Sequence, residues 1–95
     1  MYLPVILERD LRTKRPEGGV INAVEVVQRD DGKWQVNVDV SWKSPGMRTA
    51  CLFNIPEIKI YALAATALRH VVTKYDYFGD IVVKPKKGMV GKYLI

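Results

Sequence analysis

From Lys33 to Lys43 the chain alternates strictly: Trp34, Val36, Val38, Val40 and Trp42 are apolar, whereas Lys33, Gln35, Asn37, Asp39, Ser41 and Lys43 are not. A period of two puts these sets on opposite sheet faces, so the stretch predicts a half-buried strand. Ser44-Pro45-Gly46 follows, with proline presetting a negative φ and glycine free to take a positive one, and residues 47–53 run back. Upstream, residues 20–28 (VINAVEVVQ) are rich in β-branched side chains and lead into Arg29-Asp30-Asp31-Gly32, whose Asp-Gly pair signals a hairpin turn. Together these segments predict a three-stranded antiparallel meander. Residues 2–7 are apolar around Pro4 and predict an edge strand, a possible fourth, or an extended arm, because proline removes a ladder donor. Residues 8–19 are polar, end in Pro-Glu-Gly-Gly and predict a mobile loop, whose Arg12, Lys14 and Arg15 could meet phosphates if it orders on binding.

The period changes after Asn54. Asn54 can cap a helix, Pro56 suits the first turn and Glu57 stands three residues on, which predicts a helix from about Ile55 to about Asp76, with Gly79 ending the segment. On a 100° wheel its apolar residues fill about half the circumference, wider than the stripe of a helix packed on one surface. A second copy of the chain is expected there, packed through Ile60, Tyr61, Ala64, Ala67, Leu68 and Val71. The alternative cover is the chain's own residues 81–83, or Met89-Val90 and Tyr93-Leu94-Ile95. The opposite face carries Lys59, Thr66, Arg69, His70, Thr73 and Lys74 and reads first as a solvated basic stripe. The predicted fold is a single α+β domain: a loop-bearing arm (1–19), an antiparallel three- to four-stranded meander (20–54), one long helix (55–78) that dimerises, and a short basic C-terminal segment (79–95).

Charge sharpens the picture at one end. Of a net charge of +5, four units fall in residues 81–95, where Lys84, Lys86, Lys87 and Lys92 face no acid. Such a tail suits an anionic partner and serves equally as solubilising charge. No apolar run approaches the roughly 20 residues that span a bilayer, and Glu8-Arg9-Asp10 interrupts the apolar start, so a soluble, cytoplasmic protein is expected. Cys51 stands alone, which excludes an internal disulfide and predicts a buried thiol.

Catalytic chemistry is sparse. There is no P-loop, dinucleotide fingerprint, HExxH or nucleophile elbow, and the single cysteine and single histidine, Cys51 and His70, are predicted on a strand and on an exposed helix face. Glu25, Asp30, Asp31 and Asp39 have no metal-loop spacing. Neither catalysis, a metal nor a cofactor is expected. What remains is a polar sheet face beside two tryptophans, and single-strand binders combine cations for phosphates with flat rings for bases. The valine alternation predicts core positions for Trp34 and Trp42, with Trp42, next to the turn, the better candidate for partial exposure.

The hairpin resembles the single-strand DNA-binding domain of the positive-cofactor-four transcriptional coactivators, relatives in fold of the plant Whirly proteins. The resemblance rests on Arg29-Asp30, Gly32-Lys33 opening a strand, Trp42, a Pro-Gly turn, Arg48 and Asn54-x-Pro56-Glu57, and covers residues 29–57. It implies four antiparallel strands, a long dimerising helix and DNA contacts from Lys33, Trp42 and Arg48. With the adjoining Lys43 and the tail residues Lys84, Lys86 and Lys87, these form the expected nucleic-acid-binding set. The leading expectation is therefore a non-enzymatic homodimer that binds single-stranded nucleic acid with little sequence preference. The rival is a small protein-binding adaptor or inhibitor of the kind mobile genetic elements encode, using the sheet face or edge.

Overall fold

The computed structural model describes residues 3–86. Its elements in chain order are β1 (Val5–Leu7), α1 (Glu8–Leu11), β2 (Ile21–Gln28), β3 (Trp34–Val40), β4 (Arg48–Cys51), α2 (Ala64–Lys74) and β5 (Ile81–Lys84). The strands form one five-stranded sheet in the order β1-β4-β3-β2-β5. β2, β3 and β4 are antiparallel neighbours, as the alternation predicts. The edges differ: β1 lies parallel to β4, and β5 lies parallel to β2. The expected antiparallel sheet is thus corrected to a mixed one, because both edge strands are recruited by pairings distant in sequence.

The central register explains the core. Val24 stands opposite Val38 and Val26 opposite Val36, so valines from both strands line one face. With Ile6, Leu11, Val40, Ala50, Tyr61, Ala67, Val71 and Tyr75 they form the buried cluster. The hairpin between β2 and β3 closes at Gly32, whose φ of +84° is open to glycine, while the Lys33 amide donates to Asp31 Oδ1 at 2.9 Å.

The long helix is the second correction. α2 begins at Ala64, ten residues after the Asn54 cap signal, and has 11 residues. The intervening chain is extended. Leu52 N donates to Glu57 O and Lys59 N to Ala50 O, while Trp34 and Tyr61 exchange both backbone bonds at 2.8 and 2.9 Å. Residues 57–61 thus bridge β3 and β4 where those strands part. Paired backbone in the sheet outweighs a local capping pattern that satisfies only helix-terminal amides. The shortened helix then needs no wide partner surface: Ala67, Val71 and Tyr75 are buried against the chain's own sheet. Asp76, at φ +56°, closes it in the left-handed conformation.

Residues 8–19 begin with α1 and meet the rest of the chain at a few points, with Arg9, Arg12, Thr13, Lys14 and residues 16–18 exposed. Leu11 is fully buried, Arg15 Nη2 donates to the carbonyls of Leu11 at 2.9 Å and Tyr75 at 2.6 Å, and Gly19 lies against Trp42. Residues 89–90 and 93–95, the alternative helix cover, lie outside the described residues; residues 81–83 belong to β5.

Parallel pairing of β5 sets Val83 against Val26 and leaves Val82 exposed. Val26→Ala should therefore cost roughly 2 kcal/mol, and Val82→Ala no more than about 0.5 kcal/mol, in urea unfolding followed by tryptophan emission. Equal losses would refute this register.

Candidate binding site on the open sheet face

α2 and α1 cover one face of the sheet. The opposite face carries the polar parity of the strands, and its side chains form a ladder running across them. From the β5 edge, Lys84 Nζ lies 2.8 Å from Glu25 Oε1. Asn37 Nδ2 donates to Glu25 Oε2 at 2.8 Å, and Thr49 Oγ1 donates to Asn37 Oδ1 at 2.9 Å. Gln35 Nε2 donates to Asn37 Oδ1 at 3.2 Å, and Arg29 Nη1 donates to Gln35 Oε1 at 2.9 Å. Asn37 and Thr49 are each only 3% exposed, so these bonds hold groups that would be costly to bury unpaired. Burial pushes the Glu25 carboxyl up, but the Asn37 amide and the Lys84 ammonium outweigh it and hold it below its ordinary value.

At the ladder's β4 end the face sinks into a groove of about 460 Å³, lined by Leu3, Val5, Arg29, Gln35, Thr49, Pro56 and Ile58. A shallower hollow of about 430 Å³, lined by Gln28, Arg29, Asp30, Asp31 and Gln35, shares Arg29 and Gln35 with it. The extended segment 57–61 is what brings Ile58 here. The groove has apolar walls, a polar floor fixed by the ladder and one guanidinium where the two hollows meet. Its volume lies within the roughly 300–1,000 Å³ of small-ligand sites.

The expected nucleic-acid residues are not gathered in one place. Lys33 is exposed in the β2–β3 turn, whereas Trp42 and Lys43 lie beyond the far end of β3 and Arg48 opens β4 opposite Val38. Seven strand residues separate Lys33 from Trp42 and Lys43, roughly 23 Å at about 3.3 Å per residue. Trp42 is half-buried, with Gly19 so close that a Cβ there would stand 2.7 Å from its ring and the Arg15 guanidinium 6.0 Å from the ring centroid. Arg48 Nη2 is turned to Ser44 Oγ at 2.9 Å. At the other end Lys86 Nζ donates to Asp30 O at 2.9 Å, so Lys86 joins Lys33 at the β2–β3 turn, near Lys84. Lys87 lies outside the described residues.

The expected interface residues also separate. Tyr61, Ala67 and Val71 are buried in the chain's own core, Ala64 and Leu68 are half-buried against it, and Ile60 is exposed in the segment before α2. Within the expected basic stripe, His70 and Lys59 turn inward to Glu8. Its carboxylate is nearly buried, with Arg12 Nη1 and His70 Nε2 3.2 and 3.3 Å from Oε2, and Lys59 Nζ 3.2 Å from Oε1. The rings of Tyr61 and Tyr75 flank His70 at 5.6 and 5.1 Å. This cluster ties α1, the extended segment and α2 together. Cys51 is buried in β4, and burial pushes its thiol up, away from a nucleophile's range.

Sequence reading did not find the groove. Arg29 and Gln35 were visible only as turn and polar-face residues, and nothing local connects them with Leu3, Val5, Pro56 and Ile58. Among the described residues no helix is long and apolar enough to cross a membrane, and no three His, Cys, Asp or Glu side chains are placed to hold a metal ion. No family model, curated protein or solved structure matches the chain.

The Glu8 cluster gives stability a pH dependence of one sign. Burial lowers the His70 pKa below 6.5, more than the Glu8 carboxylate raises it. Burial raises Glu8, but Lys59, His70 and Arg12 together bring it below 4.5. In both cases the unfolded chain binds protons first as pH falls, so the stabilisation is complete above the unfolded value and is lost on acidification. Thermal midpoints should fall as pH drops from 7 through the folded His70 value, and again below 4.5. His70→Gln should flatten the first decline and keep a shallower second one, since Lys59 and Arg12 still hold Glu8 low; an unchanged profile would remove His70 as the origin of the first.

Proposed function

We propose that the chain is a non-enzymatic binding module, an adaptor or inhibitor, that holds a segment of another protein on the open face of its sheet. The observation that carries this reading is the groove, whose walls place exposed apolar side chains, Leu3 and Val5 at 43% each, beside a polar floor already fixed by hydrogen bonds. Apolar anchors next to satisfied polar groups are the make-up of protein-recognition surfaces. Stacking of bases is poorly supported on this face, because its positions on β2, β3 and β4 offer Ala23, Glu25, Val27, Gln35, Asn37, Asp39 and Thr49 and no aromatic ring.

A photoreactive benzoylphenylalanine at Val5 should cross-link one stoichiometric protein from nuclease-treated cell extract, while the same group at Val72, exposed on α2, should not. Absence of a product at Val5, or equal products at both sites, would count against the groove. A product of twice the chain mass would instead mark a second copy as the occupant.

Single-stranded nucleic acid is the second reading, and the meeting of Lys33, Lys84 and Lys86 at one end of the sheet favours it. Contact would run through phosphates rather than the covered Trp42 ring. Fluorescence anisotropy with a labelled single strand should then show affinity that falls with salt, and joint Lys33→Ala and Lys86→Ala should weaken binding uniformly and shallow the salt slope. No binding at low salt would retire this reading.

A further inference from the structure

We infer that the groove recognises a carboxylate flanked by a branched apolar side chain, so that the segment it takes from a partner protein is acidic and apolar together. This inference rests on the protein-binding reading above and names the chemistry of the same site.

Among the described residues, Arg29 is the one ionised residue lining the groove. Nη1 is held by Gln35 at 2.9 Å, and Nε lies 3.4 Å from Asp31 Oδ2, which leaves Nη2 with no side-chain partner among the described residues. A guanidinium oriented through one nitrogen and open at another is set to receive a carboxylate, whose charge strengthens each hydrogen bond. Asp31 is a weak competitor because its Oδ1 is held in the turn by the Lys33 amide at 2.9 Å, and its Oδ2 meets only Nε, at a long 3.4 Å in an exposed pair.

The neighbouring groups select among anions. Asp30 and Asp31 line the hollow beside the guanidinium, and neither Lys33 nor Lys86 lines either hollow. A phosphate dianion would meet two carboxylates there with a single cation to offset them, whereas a carboxylate carries one charge and can accept from the open Nη2. The opposite wall, of Leu3, Val5, Pro56 and Ile58, offers nothing to a second charge and suits an aliphatic side chain. The net charge of +5 adds a general attraction for an acidic partner.

The probe is N-acetyl-L-leucine, with N-acetyl-L-leucinamide and inorganic phosphate as the other arms, titrated into the full chain by amide proton–nitrogen correlation spectroscopy. N-acetyl-L-leucine should give saturable shifts at Val5, Arg29, Gln35, Thr49 and Ile58, with the amide roughly tenfold weaker for want of charge-assisted hydrogen bonds. Arg29→Gln should bring the two compounds level, and Arg29→Lys should retain part of the difference, with unchanged Val26 and Val38 resonances certifying the fold. No saturation, equal binding of acid and amide to the native chain, or stronger shifts with phosphate would overturn the inference. If benzoylphenylalanine at Val5 captures a protein and Arg29→Gln leaves that capture unchanged, the carboxylate assignment fails while the protein-binding reading stands. If N-acetyl-L-leucine binds as expected but no protein is captured, the partner segment is refuted and the groove is a small-molecule site.

Discussion

The structure depends on the way residues 57–61 re-enter the sheet. β3 and β4 share a short antiparallel register at Asn37–Thr49 and Val38–Arg48 and then separate. The extended segment joins them beyond that point, through Cys51–Ile58 and Trp34–Tyr61. Without it, the backbone groups of Trp34 and Ala50 that it satisfies would lose their partners inside the molecule, a cost of the order of 1–3 kcal/mol for each buried group. Period two then distributes its side chains. Ile58 reaches the groove, Lys59 reaches Glu8, and Tyr61 enters the core. One backbone pairing thus starts the helix late, supplies a groove wall and anchors the ion cluster.

The polar ladder fixes the other half of the site. A slip of one residue between β2 and β3 would turn every side chain to the opposite face, placing Gln35 and Asn37 against the valine core. The buried Asn37 makes that slip costly twice over, because its cross-strand partners Glu25 and Thr49 would be left behind. The same bonds that specify register also immobilise the groove floor, so Arg29 inherits its orientation from a chain of contacts that reaches the β5 edge.

The meander was legible because a half-buried antiparallel strand writes its structure locally: Val36, Val38 and Val40 declare a face whatever lies elsewhere in the chain. The parallel edges were not legible, since β1 meets β4 and β5 meets β2 across long sequence separations that no short pattern encodes. The helix start misled for a related reason. Asn54, Pro56 and Glu57 satisfy the local rules of a helix beginning, yet Ile58-Lys59-Ile60-Tyr61 also alternates, and the tertiary pairing decides between them. The hairpin features behind the coactivator resemblance, an Asp-Gly turn and a Pro-Gly turn around a tryptophan-bearing strand, belong to local turn chemistry. They carry no information on sheet order, and the mixed sheet with its short helix departs from the fold they implied.

Charge shows why counting residues could not locate a site. Arg12, Lys59 and Arg29 look alike in the sequence, and a tally of cations treats them as equal attractions for an anion. The fold separates them by what stands opposite. Arg12 and Lys59 converge on the nearly buried Glu8, whose carboxylate offsets their charge and welds three elements together. Arg29 is aligned by the neutral amide of Gln35 and by an exposed ion pair with Asp31, which leaves Nη2 without a side-chain partner among the described residues. A cation paired with a nearly buried acid holds a fold together, whereas a cation in an exposed pair at the edge of an apolar groove adds little to stability, so like residues differ in role by what stands opposite them.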